Sequence, residues 1–168
     1  MSVKDMQKFM SAASMSEKEI QEFLSIPRLA RMATLQNGKP HLVPVWYFYD
    51  GTNIIVSTPK GTKKIKNLQS NPNVSIIIDT VDGRVEDLSY LTKVKAVIIE
   101  GIAELQDDID GSFARKSYER YAGKNALNNP QVQFSVSLPR YIVVIKPTKI
   151  MSWDFTKIVI IEELDCRK

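Results

Sequence analysis

The 168-residue sequence holds one cysteine, Cys166, and one histidine, His41. A lone cysteine makes no internal disulfide and no thiolate metal cluster, which fits a reducing, cytoplasmic setting. A lone histidine removes histidine-rich metal sites and paired imidazole acid–base chemistry. No apolar run reaches the roughly 18 residues of a membrane span. The N-terminus lacks a basic stretch followed by an apolar one, so no secretion signal is read. No strand–Gly-x-Gly-x-x-Gly–helix unit occurs, which argues against a Rossmann dinucleotide domain. Acidic residues at metal-ligand spacing are missing too, and Glu86-Asp87 reads as a solvated loop pair. There is no internal repeat, low-complexity segment or interdomain linker.

What is present suits one globular domain. The hydrophobic fraction is 43%, enough for a sizeable core. The net charge of +4 and pI of about 9.1 favour anionic ligands. That balance falls short of the dense basic signature of a dedicated nucleic-acid binder.

Residues 1–25 form a leader and a short helix. Ser16 and Glu19 make a capping box, Ile20, Phe23 and Leu24 an apolar stripe, and Pro27 an end. A hairpin follows: strand Leu29–Leu35, the Asn37-Gly38 turn, and return strand His41–Tyr49. Ala30, Met32 and Thr34 share one face of the first strand; Leu29, Arg31, Ala33 and Leu35 share the other. Asp50-Gly51 turns into strand Asn53–Ser57, so the three strands are expected as a meander in an antiparallel sheet. Further strands are read at Val74–Thr80, Lys93–Leu105 with a bulge at Gly101, and Tyr141–Lys146 continued past Pro147 to Trp153. Asp107-Asp108 opens a helix lined by Phe113, Ser117, Tyr118 and Tyr121 and ended by Gly123. Lys124–Leu138 reads as polar connection with a turn at Asn128-Asn129-Pro130. The apolar segment Ile158–Ile161 reads as an edge strand or a cover for a partner. The expected fold is mainly β with short helices: six or seven antiparallel strands in a small barrel over residues 26–156, with 157–168 as a tail.

The richest stretch chemically is Ser57-Thr58-Pro59-Lys60-Gly61-Thr62-Lys63-Lys64-Ile65-Lys66-Asn67-Leu68. It joins a strand, a polar turn and a helix N-terminus. Four lysines and three hydroxyls crowd the start of a helix, where backbone N–H groups and the positive dipole end accept anions. A phosphate seat is one reading; a solvated lysine face with an ordinary cap is the other.

The order of these segments resembles the pyridoxamine-5′-phosphate-oxidase-like, split-barrel flavin-binding family. The residues that carry the resemblance are Arg28–Leu35, Asn37–Tyr47, Asp50-Gly51, Ser57-Thr58, Lys64-Ile65-Lys66-Asn67-Leu68 and Asn71-Pro72-Asn73-Val74, and more faintly Tyr141–Trp153. The resemblance implies a homodimer with FMN, or in one branch a deazaflavin coenzyme, at the subunit interface. It implies cofactor-phosphate contacts near Ser57, Thr58, Lys60, Thr62, Lys63 and Lys64. It places Pro44, Val45 and Trp46 along the isoalloxazine ring. The tail Glu162–Lys168 lacks the arginine- and histidine-bearing segment of the true oxidases, so a substrate other than pyridoxamine phosphate is expected.

Four more residues are candidates. Arg31 needs an anion if buried: a phosphate, Glu100 or Asp79. Trp153, with Asp154 beside it, either reaches the cofactor across the dimer or packs at an edge. His41 is either an acid–base group near the ring or a strand-start residue. The function expected is an FMN-dependent oxidoreductase passing hydride through flavin N5 to or from a small conjugated substrate. A deazaflavin-dependent reductase, a non-catalytic flavin carrier or sensor, and a nucleic-acid-binding barrel using Trp46–Tyr49 and the lysines stand as alternatives.

Overall fold

The computed structural model describes residues 2–80 and 93–158. The loop residues Glu86-Asp87 and the segment 159–161 lie outside the described residues. Two helices come first, α1 (Val3–Ala13) and α2 (Glu17–Ser25), each opened by a capping box, Ser2 with Asp5 and Ser16 with Glu19. Seven strands follow: β1 (Ala30–Gln36), β2 (Lys39–Val45), β3 (Phe48–Tyr49), β4 (Ile54–Pro59), β5 (Asn73–Asp79), β6 (Lys95–Asp107) and β7 (Arg140–Asp154). Helix α3 (Lys63–Ser70) lies between β4 and β5, and α4 (Ser112–Ala122) and α5 (Pro130–Ser137) between β6 and β7.

All strand pairs are antiparallel, in the order β2-β1-β5-β6-β7-β4-β3. The two edge strands are neighbours in sequence, joined by Trp46-Tyr47, yet do not pair: this is the split of a split barrel. The expected single strand His41–Tyr49 is therefore two strands, and β2 and β4 form no meander. Tyr47 makes the break. Its side chain is fully buried and its hydroxyl bonds the carbonyls of Leu24 (3.2 Å) and Ile26 (3.1 Å), under α2. The Tyr121 hydroxyl of α4 bridges the gap, accepting from the Tyr47 N–H at 3.1 Å and lying 2.7 Å from its carbonyl.

Alternation puts Ala30, Met32, Ile54, Val56, Ile76, Ile78, Val97, Ile99, Val143 and Ile145 in one core. Helix α3 adds Ile65 and Leu68. Between them Asn67, fully buried, donates to the Thr34 hydroxyl at 2.9 Å, while its carbonyl oxygen has no partner. Two expectations between β6 and β7 need correction. Helix α4 starts at Ser112, not at Asp107-Asp108, because β6 runs on to Asp107 and Gly111 turns left-handed (φ 67°) before the helix. The acid still serves the helix: Asp108 accepts from the Phe113 and Ala114 amides at 3.2 and 3.0 Å. The polar connection 124–138 holds α5, with Asn129 as N-cap and Pro130 at its first turn where only a turn was expected.

The β6–β7 ladder bends where the register shifts at Glu100/Gly101. A Cβ on Gly101 would lie 2.5 Å from the Lys146 carbonyl oxygen and 3.0 Å from Ile145 Cγ2. Backbone cannot swing away as a flexible side chain can, so Gly101→Ala is expected to cost about 1–3 kcal/mol. Urea denaturation checks it: the midpoint should fall at constant slope, and an unmoved midpoint would show that the bulge accepts a side chain.

Candidate functional site

At the end of β4 the sheet leaves a cavity of about 270 Å3. Its walls are the β2 end and the split (Pro44, Val45, Trp46), the β4 end (Ser57, Thr58, Pro59), Lys64 of α3, Arg140 of β7, and Ala114, Ser117, Tyr118 and Ser135 from α4 and α5. The helices cover it through aromatic packing. The Trp46 ring stacks on Tyr121 with centroids 5.1 Å apart and meets Tyr118 edge-on at 5.2 Å. The Tyr118 hydroxyl bonds Ser135 Oγ at 2.8 Å, tying α4 to α5.

Two cations face this space, and among the described residues no carboxylate lines it. Arg140 opens β7 opposite Pro59 and is only 7% exposed. Its Nε donates to Ser57 Oγ at 3.0 Å and its Nη1 to the Ser135 carbonyl at 2.9 Å. Burial lowers its pKa, while Tyr118 and Asp108 act the other way. Burial also pushes the Lys64 ammonium down, helped by the positive charge of Arg140. Neither cation forms an ion pair among the described residues. Lys64 lies in the first turn of α3, where the N-cap Thr62 makes no side-chain cap bond; its hydroxyl donates to the Pro59 carbonyl at 3.0 Å. Desolvated cations, hydroxyls and a helix N-terminus form a donor set suited to a phosphate.

A family model described as pyridoxamine 5′-phosphate oxidase matches residues 16–154. The chain belongs to that family. General stress protein 26 of Bacillus subtilis (strain 168) is 31% identical over 103 residues, 61% of this chain and 73% of that one. Among solved structures, the conserved hypothetical protein Rv2991 of Mycobacterium tuberculosis superposes with a TM-score of 0.68 at 30% identity, covering 88% of this chain and 90% of that one. An F420 reductase shares the fold with a TM-score of 0.61 at 22% identity, covering 77% of this chain and 94% of its own.

In this member of the pyridoxamine 5′-phosphate oxidase family, six residues expected at the site line one cavity: Pro44, Val45, Trp46, Ser57, Thr58 and Lys64. Thr62 stands next to it, 3.5 Å from the Thr58 hydroxyl. The others lie elsewhere in the chain. Lys60 forms an ion pair with Asp107 and sits 4.5 Å over the Tyr141 ring, lining with Asp108 and Asp110 a neighbouring hollow that Arg140 also borders. Lys63 is exposed. Arg31 pairs with Asp79 at 2.8 Å, one of the partners anticipated for it. Trp153, at the far end of β7, packs 6.4 Å from Phe155. His41 stands on the edge strand β2 opposite Thr34, away from the cavity. The aromatic run is engaged within the chain: Phe48 meets Phe113 at 4.9 Å, as Trp46 meets Tyr121 and Tyr118. Arg140, Ser117, Tyr118 and Ser135 were not read as site residues. The signal for Arg140 was an arginine at a strand start behind proline, which is faint alone.

A lowered lysine pKa carries a stability consequence. The folded state disfavours charged Lys64, so the penalty is complete below its folded pKa and is relieved as pH rises toward the unfolded value of 10.5. Buried Tyr47, pushed up to about 12, works oppositely: its contribution is present below 10.0 and lost above. Comparing variants at one pH separates the two. Lys64→Met is expected to be more stable than wild type at pH 7 without ligand, the gap narrowing toward pH 10. Urea melts at both pH values check it, and a variant less stable at pH 7 would mean that Lys64 has a stabilising partner.

Proposed function

We propose that this protein binds FMN and acts as a flavin-dependent oxidoreductase on a small conjugated substrate. The carrying observation is the pair of cations, Lys64 and Arg140, facing a hydroxyl-lined cavity that no carboxylate of the described residues lines. Removing charge from water without a counterion is costly, and a bound phosphate relieves that cost. Membership of the pyridoxamine 5′-phosphate oxidase family supports a flavin as the phosphate's bearer.

Lys64 and the first turn of α3 hold the phosphate, with the Ser57 and Thr58 hydroxyls beside them. A volume of about 270 Å3 lies just under the roughly 300–1,000 Å3 of sites that enclose a whole small ligand, so the cavity takes the phosphate end. The rest of the cofactor lies beyond it, along Pro44, Val45 and Trp46, and a second copy of the chain closes the site as a homodimer. When bound, the flavin supplies hydride transfer through N5. The chain's part is to bind, orient and keep water out: the Trp46–Tyr118–Tyr121 cluster shields the cavity, and no side chain lining it is placed as a strong general base. The fold shared with an F420 reductase supports a second reading with a deazaflavin coenzyme, which also presents a phosphate.

An FMN titration followed by flavin absorbance tests the proposal. Tight uptake is expected, and Lys64→Ala should weaken it by ~10- to 150-fold, the worth of a charge-assisted hydrogen bond. Unchanged affinity removes Lys64 from the site; absence of FMN binding in the wild type defeats the FMN reading.

A further inference from the structure

We infer that Lys64 and Arg140 act as a pair that selects a terminal phosphomonoester over a phosphodiester, an inference that rests on the flavin reading above. The argument is one of charge balance. Among the described residues the ionisable cations lining the cavity are these two, and its other polar side chains are the hydroxyls of Ser57, Thr58, Ser117, Tyr118 and Ser135 and the Trp46 indole. A phosphomonoester carries about −1.5 to −2 at pH 7, with three terminal oxygens. A diester carries −1 and two such oxygens. The dianion matches both cations; the diester leaves one of them desolvated without an ion-pair partner, which is the costly case.

Arg140 is built to discriminate. A guanidinium has five N–H donors in a rigid fork. Bonds to Ser57 Oγ and the Ser135 carbonyl fix its plane and use two of them. Donors remain for a further acceptor, with little rotamer entropy left to lose. The nearby acid does not replace that acceptor. Asp108 favours the charged guanidinium and borders, with Arg140, the neighbouring hollow, but its oxygens bond the amides of Phe113 and Ala114, and it makes no ion pair with Arg140 and does not line this cavity. Lys64 alone would hold either ester, since an ammonium on a flexible stem is a point charge. The second, fixed cation makes the count of ligand charges matter. One consequence is a preference for FMN over a deazaflavin coenzyme joined through a phosphodiester.

The test uses FMN and its phosphate monomethyl ester, the same flavin with one charge fewer, titrated by flavin fluorescence into wild type, Arg140→Gln, Arg140→Lys and Lys64→Met. Wild type should prefer FMN by ~10-fold or more, the worth of one charge-assisted bond. Arg140→Gln should bring the two ligands to near-equal affinity, and Arg140→Lys should keep most of the preference. Lys64→Met, which leaves the Arg140 contacts in place, should also lose it, so the inference stays testable should Arg140→Gln fold poorly. Equal wild-type binding of both ligands, or an undiminished preference in Arg140→Gln or Lys64→Met, overturns the inference and leaves the flavin reading standing. Binding of neither ligand overturns both.

Discussion

The ladder between β6 and β7 is the constraint on which the rest of the molecule depends. It is the longest pairing in the sheet, from Lys95 opposite Asp154 to Asp107 opposite Tyr141. A twisted pair of this length must bend to wrap a core, and it bends where Gly101 brings the backbone against Lys146. Beyond the bend, β7 keeps β6 on one side and takes β4 on the other, through Ile54–Pro59. That places Arg140, the first residue of β7, beside Ser57, and the same strand ends with Trp153 and Asp154 at the opposite extreme. The β6–β7 connection holds α4 and α5, so the ladder also delivers the helices that cover the cavity.

The site that results is electrostatically tense. Arg140 is buried on hydroxyl and carbonyl partners, and Lys64 is held close enough to be affected by its charge. Among the described residues several part-buried cations meet a carboxylate, Arg31 with Asp79, Lys95 with Asp154 and Lys60 with Asp107, while Arg28 and Arg120 rest on carbonyls and aromatic rings. Lys64 and Arg140 differ in facing a cavity together, an unfavourable arrangement that a bound anion relieves. The seam between β2 and β3 serves the same place. Tyr121 substitutes for missing ladder bonds there, and its ring holds Trp46 against the cavity wall.

Local signals made much of this legible. The Asn37-Gly38 turn, both residues at positive φ, the alternation of β1, the lysine-rich start of α3 and the Gly101 bulge can each be read from a few neighbouring residues. What escaped depends on distance along the chain. The bond from Arg140 to Ser57 spans 83 residues, and no pattern near Arg140 distinguishes it from an edge arginine. The break at Trp46-Tyr47 hides inside an aromatic run with strong strand propensity; only burial of Tyr47 under α2 decides it. Helix α5 has a weakly amphipathic sequence, so its cap and Pro130 read as a turn. Lys60 and Lys63 looked equivalent to Lys64 because spacing does not say which lysine finds an aspartate.

The most direct measurement is a crystal structure of the protein with FMN. The account predicts the phosphate between Lys64 and Arg140, within hydrogen-bond reach of both and of Ser57. Phosphate density at Lys60 or Lys63, with this cavity left to water, would contradict it.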